Sequence, residues 1–257
     1  MITRRKFLTG CVGAAAALFS LSLLPEYKVI DQLMKSIPVL LYHRVGPETD
    51  DLTISSKRFE QDLASLSQEG YNTLSLAQVK QRLAGDNAKL PEKPIVITFD
   101  DGYLDNYTNA FPLLQKYAMK ASFYIITGMM GNQDRLTGAH IREMAAAGMD
   151  FGSHTVTHRP LADLTPQEVK NELNQSKAAL EQTLGKTVEF IAYPCGSYRP
   201  DTIQTASHAG YLGGFSTQYG FAAFTNHLAI RRIPVFHFDR SITYVMLRKG
   251  LLPSMMS

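Results

Sequence analysis

The run Pro94-Ile95-Val96-Ile97-Thr98-Phe99-Asp100-Asp101-Gly102 decides the reading of the whole chain. Its apolar residues are nearly continuous, mostly β-branched and too few for a helix. They predict a strand over Pro94–Phe99 covered on both faces, the mark of a parallel sheet. Two adjacent carboxylates end it abruptly. In barrels and open α/β sheets, the C-terminal strand ends carry the ligand-binding face.

The same pattern repeats on either side. Short apolar runs predict strands at Pro38–Tyr42, Asn72–Leu74, Ala121–Ile126, Met149–Gly152, Val188–Tyr193, Gly213–Thr217 and Leu228–Val235. Helical spacing fills the intervals: Phe59, Leu63 and Leu66 precede Gly70, and Ile141, Met144 and Ala145 precede Gly148. The best-signalled helix opens on Thr165-Pro166-Gln167-Glu168, a capping box with Pro in the first turn. It runs through Val169, Leu173, Ala179, Leu180 and Leu184 to Gly185. Repeated β-then-α order predicts an α/β fold, and seven or eight such units suit a closed or nearly closed barrel. No internal repeat or long linker interrupts residues 37–257, which are expected to form a single domain after a connector at 25–36.

Composition excludes several classes. With 257 residues, 45% of them hydrophobic, there is ample material for a core. Two Cys without a CxxC pair exclude a disulfide-stapled fold and a structural zinc site of that type. The net charge of +3 comes entirely from Arg4, Arg5 and Lys6, since residues 1–24 contain no acid. Without those three cations, 23 Lys and Arg balance 23 Asp and Glu. A nucleic-acid-binding domain keeps its basic excess on the folded body, so no nucleic-acid partner is expected.

Residues 1–24 read as an address. Thr3-Arg4-Arg5-Lys6-Phe7-Leu8 followed by the uncharged run Phe7–Leu24 resembles the bacterial twin-arginine export signal. Export to the periplasm or cell envelope is the expectation. A general secretory signal or an uncleaved anchor is the rival, and a membrane contact would come only through this segment. Ser20-Leu21-Ser22 is a weak cleavage site, and Cys11 precedes the apolar stretch that should precede it in a lipoprotein. Cys195 would then be the sole cysteine of a mature chain, expected to pack against the core.

Four polar groupings fall where predicted strands end: His43, Asp100-Asp101, His154 and Cys195-Gly196. Adjacent carboxylates leaving an apolar strand are costly unless a cation compensates them. A divalent metal on one would leave the other as general base; the plain alternative is an Asp-Gly turn. In Ser153-His154-Thr155-Val156-Thr157-His158, β-branched residues between the imidazoles favour a loop over a helix. Two imidazoles plus a carboxylate make a zinc set with open positions for water, against the reading of two solvated histidines. The same set suits non-haem iron oxygenases, but those sit on a β fold that the α/β rhythm contradicts. No Gly-x-Ser-x-Gly elbow or phosphate-binding glycine loop is present. His140 and His208 fall in helical stretches, His227 carries no signal, and His237 follows the last strand closely enough to approach the site.

Together, Thr98-Phe99-Asp100-Asp101-Gly102, His154-x-x-x-His158 and Tyr193-Pro194-Cys195-Gly196 resemble the polysaccharide deacetylase family, carbohydrate esterase family 4. The resemblance spans roughly Ile37 to Val235 and implies a distorted (β/α)7 barrel. It implies one divalent metal, usually zinc, on Asp101, His154 and His158, with Asp100 as the catalytic base. Pro38-Val39-Leu40-Leu41-Tyr42-His43-Arg44-Val45 is similar to the branch that includes poly-β-1,6-N-acetylglucosamine deacetylases, which implies His43 as general acid. Where the family has an arginine and an aromatic flanking the third motif's proline, this chain has Ala192 and Cys195. The base-orienting arginine must then come from elsewhere, with Arg232 preferred, while Cys195 still offers a backbone N–H to an oxyanion.

The expected function is metal-dependent removal of N-acetyl groups from an N-acetylglucosamine-containing polysaccharide of the envelope or matrix. The rivals are an O-acetyl esterase on xylan or peptidoglycan and a catalytically silent glycan-binding protein. With no Trp for stacking, sugar contacts would fall to Tyr103, Tyr107, Tyr198 or Tyr219.

Overall fold

All eight predicted strands are present, and seven of them close on themselves. The computed structural model describes residues 36–47, 50–85 and 90–255. The expected export signal over 1–24 and nearly all of the expected connector over 25–36 therefore lie outside the described residues. From Ile37 onward the chain is one compact unit. Among the described residues no helix is long and apolar enough to cross a membrane.

The strands are β1 (Val39–Tyr42), β2 (Arg44–Val45), β3 (Thr53–Ile54), β4 (Asn72–Thr73), β5 (Pro94–Phe99), β6 (Ser122–Ile125), β7 (Asp150–Ser153), β8 (Phe190–Ala192), β9 (Gly213–Tyr219) and β10 (Ile230–Pro234). Sheet order is β1-β10-β9-β8-β7-β6-β5, and β1 also pairs β5, so the sheet closes into a seven-stranded barrel. Every pairing in it is parallel. The expected distorted (β/α)7 barrel is the observed fold. The distortion is visible at β5, where β4 pairs its first two residues and β6 its last two. A separate two-stranded sheet, β2 with β3, carries no periodicity at two residues each and was not legible in the sequence.

The principal helices are α1 (Ser56–Gln68), α2 (Leu76–Leu83), α3 (Phe111–Lys116), α4 (Gly138–Ala146), α5 (Pro166–Leu184) and α6 (Pro200–His208). α5 follows its sequence signals closely. The Thr165 hydroxyl accepts from the Glu168 N–H, Pro166 opens the first turn, and Gly185 ends the helix at φ +67°.

Strand alternation divides the core into two clusters. Leu40, Tyr42, Ile97, Phe99 and Phe123 pack outward against the helices, including Phe59, Leu63 and Leu66 of α1. Tyr42, Phe99, Phe123 and Phe151 form a ring ladder across four adjacent strands, with centroids 5.5, 5.0 and 5.6 Å apart. Val39, Val96, Tyr124, Phe190, Phe215 and Ile230 point the other way, into the barrel, and meet Leu76, Val79 and Leu83 of α2. α2 lies at the N-terminal strand ends: the Leu76 N–H donates to Asp150, the first residue of β7, and Lys80 pairs with Glu189 just before β8. The opposite, C-terminal end holds the polar groups.

Candidate active site

β5 runs through the barrel with Val96, Thr98 and Asp100 on its inner face. The Asp100 carboxylate meets Arg232 of β10 in a two-pronged contact, Nη1 to Oδ1 at 2.8 Å and Nη2 to Oδ2 at 2.6 Å. Two further guanidinium donors are also used: Nε donates to the Ser216 carbonyl at 2.9 Å, and Nη1 also reaches Thr98 Oγ1 at 3.2 Å. Arg232 is 0% exposed and Asp100 2%. A buried pair of this kind holds only when geometry and extra hydrogen bonds repay desolvation, and both conditions are met here. Burial alone would raise the Asp100 carboxyl, but Arg232 and then His154 outweigh it and hold the group below the ordinary carboxylate value. Asp100 is therefore ionised at neutral pH.

Asp101, one residue on, faces the histidines. Its Oδ1 lies 3.4 Å from His154 Nε2 and 3.3 Å from His158 Nε2. One candidate ligand atom from each of the three residues falls within 4.8 Å of the others. The Asp101 backbone sits at φ +73°, and Arg135 Nη1 donates to its carbonyl at 2.9 Å, which fixes where the carboxylate points. His154 is held at its other nitrogen, with Nδ1 2.7 Å from the Ala192 carbonyl. That contact assigns the proton to Nδ1 and leaves the Nε2 lone pair toward Asp101.

These residues fit a divalent cation. Asp101 Oδ1 is buried without a hydrogen-bond partner among the described residues, although two imidazole nitrogens flank it. A carboxylate oxygen and two imidazoles converging on one point are the donor set that zinc takes with room for water. Burial pushes the His154 imidazole down, yet Asp100 and Asp101 carry it above the ordinary value. The half-buried His158 is lowered, by burial first and by His154 second. Asp101 is strongly depressed: the neighbouring histidines, His154 foremost, overcome the burial that would raise it.

His43 leaves β1 beside this group. Its Nδ1 is buried without a hydrogen-bond partner among the described residues, and its carbonyl accepts from Asn106 Nδ2 at 2.8 Å. Burial lowers the imidazole below its ordinary value despite the pull of Asp100 and Asp101, so it is neutral at pH 7. On the far side, Pro194–Gly196 forms a tight turn after β8, with Cys195 at φ +56°. The expectation that Cys195 packs against the core is corrected: the thiol is exposed, because the residue sits on this turn and not in the strand. Gly196 has φ +66°, and a Cβ there would lie 2.1 Å from Thr217 Oγ1, so only glycine fits.

The remaining candidates separate. His140 serves the N-terminus of α4, where its Nδ1 accepts from the Thr137 N–H. His237 faces Asp51 at 3.5 Å and is not part of the histidine–carboxylate cluster. Tyr107 stacks on His140 and donates to Glu143, while Tyr198 packs on Tyr193. Tyr103 is held between the guanidinium groups of Arg44 and Arg135, 4.3 and 3.8 Å from its ring centroid. Only Tyr219, 43% exposed, is as open as a stacking surface requires.

Two residues that the motifs did not flag also touch the site's framework. Arg135 holds Asp101, and Glu172 of α5 accepts from the loop between the two histidines. Glu172 had a signal in the sequence: it is a charged residue in the apolar stripe of α5, beside Val169 and Leu173.

Comparison with known proteins agrees with this geometry. A polysaccharide deacetylase family model matches residues 87–214. The chain is 37% identical over 187 residues to YxkH of Bacillus subtilis (strain 168), provisionally named a polysaccharide deacetylase, covering 73% of this chain and 66% of that protein. It is 28% identical over 185 residues to the poly-beta-1,6-N-acetyl-D-glucosamine N-deacetylase of Staphylococcus aureus (strain MSSA476), covering 66% of this chain and 63% of that one. The chain thus spans slightly less than two thirds of the length of these curated relatives. The solved structure of Streptococcus pyogenes deacetylase PplD in complex with acetate superposes with a TM-score of 0.78 at 33% identity, over 83% of this chain and 97% of that one.

Proposed function

The chain belongs to the polysaccharide deacetylase family, and on that premise we propose that it hydrolyses N-acetyl groups on an N-acetylglucosamine-containing polysaccharide of the cell envelope or matrix. One observation carries the reading. A buried carboxylate oxygen lies between two imidazole nitrogens, and the carboxylate next to it in sequence is held ionised by a buried arginine. A glycan-binding barrel without chemistry would need neither feature.

A divalent cation, zinc by family resemblance, would be held by Asp101, His154 and His158 and would supply Lewis acidity toward an acetyl carbonyl and a water. The chain's own residues divide the proton work. Asp100 takes the proton of the attacking water, with its geometry fixed by the fork of Arg232. The Cys195 backbone N–H stabilises the oxyanion, a role that its side chain does not enter. His43 gives a proton to the departing amine. Its lowered basicity makes the imidazolium a stronger donor, at the cost of its population at pH 7. The twin-arginine-like segment supports export as the route to an envelope substrate.

The test is acetate release by the metal-loaded full chain from β-1,6-linked N-acetylglucosamine oligomers and, in parallel, from O-acetylated xylan and peptidoglycan. Release from the first substrate supports the proposal. Release only from O-acetyl esters replaces it with the esterase reading, and no release from any substrate despite bound metal leaves a glycan-binding protein.

A further inference from the structure

The loop between His154 and His158 is strained. Thr155 and His158 both lie in the left-handed region, at φ +63° and +62°, and neither is glycine. Such a residue persists only where its surroundings over-determine it. The surroundings here can be traced group by group. The His154 N–H donates to the Ile125 carbonyl, and the Thr155 and Val156 carbonyls accept from the Thr127 and Gly128 N–H groups at 3.0 Å each. The Thr155 N–H donates to Ser153 Oγ and the His158 N–H to Thr155 Oγ1.

That leaves two consecutive amides, and both converge on one oxygen. The Val156 and Thr157 N–H groups donate to Glu172 Oε2 at 2.7 and 2.9 Å, while the Thr157 hydroxyl donates to Oε1 at 2.5 Å. Glu172 is 8% exposed. One turn further along α5, Ser176 Oγ lies 2.5 Å from Ser153 Oγ, so the same helix grips the loop on both sides of His154. A carboxylate is rarely buried on a helix's apolar face without a partner charge. The partners of this one are the backbone of the segment that carries both imidazoles.

We propose that Glu172 is a positioning residue for metal binding: by tying Val156 and Thr157 to α5, it holds His154 and His158 at ligating separation before any ion arrives. The inference rests on the metal reading of the preceding subsection. The ion would then meet a formed site and would not have to order the strained loop itself.

The experiment measures zinc affinity of the full chain by competition with a chromophoric chelator, with thermal unfolding recorded for each variant. Glu172→Ala is expected to weaken zinc binding about 10–100-fold, the usual effect of removing a group that orients metal ligands. Glu172→Asp keeps the charge but falls one methylene short, and is expected to behave like Glu172→Ala. Glu172→Gln can still accept both amides through its carbonyl oxygen and is expected to recover most of the affinity. If Glu172→Ala does not fold, the Glu172→Asp result decides. Wild-type affinity in the Asp variant, or in a folded Ala variant, would overturn the inference. So would a Gln variant as weak as Ala, because charge and not hydrogen bonding would then be at work. A wild-type chain that binds no zinc would overturn the metal reading together with this inference, whereas zinc-binding wild type with unaffected variants overturns this inference alone.

Discussion

Arg232 grips both carboxylate oxygens of Asp100 inside the barrel, at 2.8 and 2.6 Å, with neither side chain open to solvent. The contact spans 132 residues of sequence and crosses from β10 to the end of β5. It joins the stability of the barrel to the ionisation of the proposed base.

Removing one partner leaves the other buried without compensation. Arg232→Ala is expected to cost about 3–5 kcal/mol of stability, read from denaturant unfolding. Arg232→Lys loses the fork but keeps the charge, and its loss should be smaller. The pH dependence follows from the sign of the shift. Asp100 is depressed in the folded protein, so its pairing stabilises above the unfolded carboxylate value and the benefit is lost as pH falls through the folded one. In a folded Arg232→Lys variant, the acid limb of the rate profile should move to higher pH. An unmoved limb would argue that Arg232 does not set Asp100's ionisation.

His43 titrates in the same sense, in a higher pH window. Its folded pKa lies below the unfolded value of about 6.5, so the unfolded chain binds the extra proton between the two. Its contribution to stability is complete above the unfolded value and lost as pH falls through the folded one. Comparing unfolding free energies of wild type and His43→Gln between about pH 5 and 7 isolates this residue. Wild type should gain more with rising pH than the variant. Turnover in His43→Gln should fall by on the order of 10²–10⁴-fold with metal binding kept. Full turnover would remove His43 from the proton-donor role.

The third motif makes a prediction about backbone and not about thiol. Cys195→Ser leaves the N–H in place and should keep activity close to wild type. Gly196→Ala drives a Cβ to 2.1 Å from Thr217 Oγ1 at a left-handed φ, and should lose about 1–3 kcal/mol together with activity. A Cys195→Ser variant without activity would show that the side chain enters the chemistry.

Chelation should lower the unfolding temperature. A ligand that binds only the folded state at 100 times its dissociation constant stabilises by about 2.7 kcal/mol. Zinc added back should restore the wild-type melting curve and leave that of Asp101→Ala unchanged. A melting curve indifferent to chelator and zinc would contradict a metal site on Asp101, His154 and His158.

Much of this architecture is legible in the sequence because barrel strands and site residues obey one rule. Buried parallel strands read as apolar runs, and polar residues at their ends stand out, so Asp100, His154 and His43 are visible without coordinates. Arg232 is harder. It is buried inside a strand, and only the resemblance, through the family arginine that is Ala192 here, directs attention to it. Glu172 and Arg135 act on backbone groups of other segments, a relation that spacing cannot express. Cys195 is legible as a strand-end residue, but nothing in the sequence tells the packed side of the turn at Pro194–Gly196 from its exposed side. The β2–β3 pair escaped because two residues show no period.

The central claim is that Asp100 moves the proton while Asp101, His154 and His158 hold the metal. Its most direct test is Asp100→Asn, with bound zinc and acetate release from N-acetylglucosamine oligomers measured on the same preparation. The account predicts one zinc per chain and a turnover lower by on the order of 10²–10⁴-fold. Wild-type turnover in the zinc-loaded variant would contradict it.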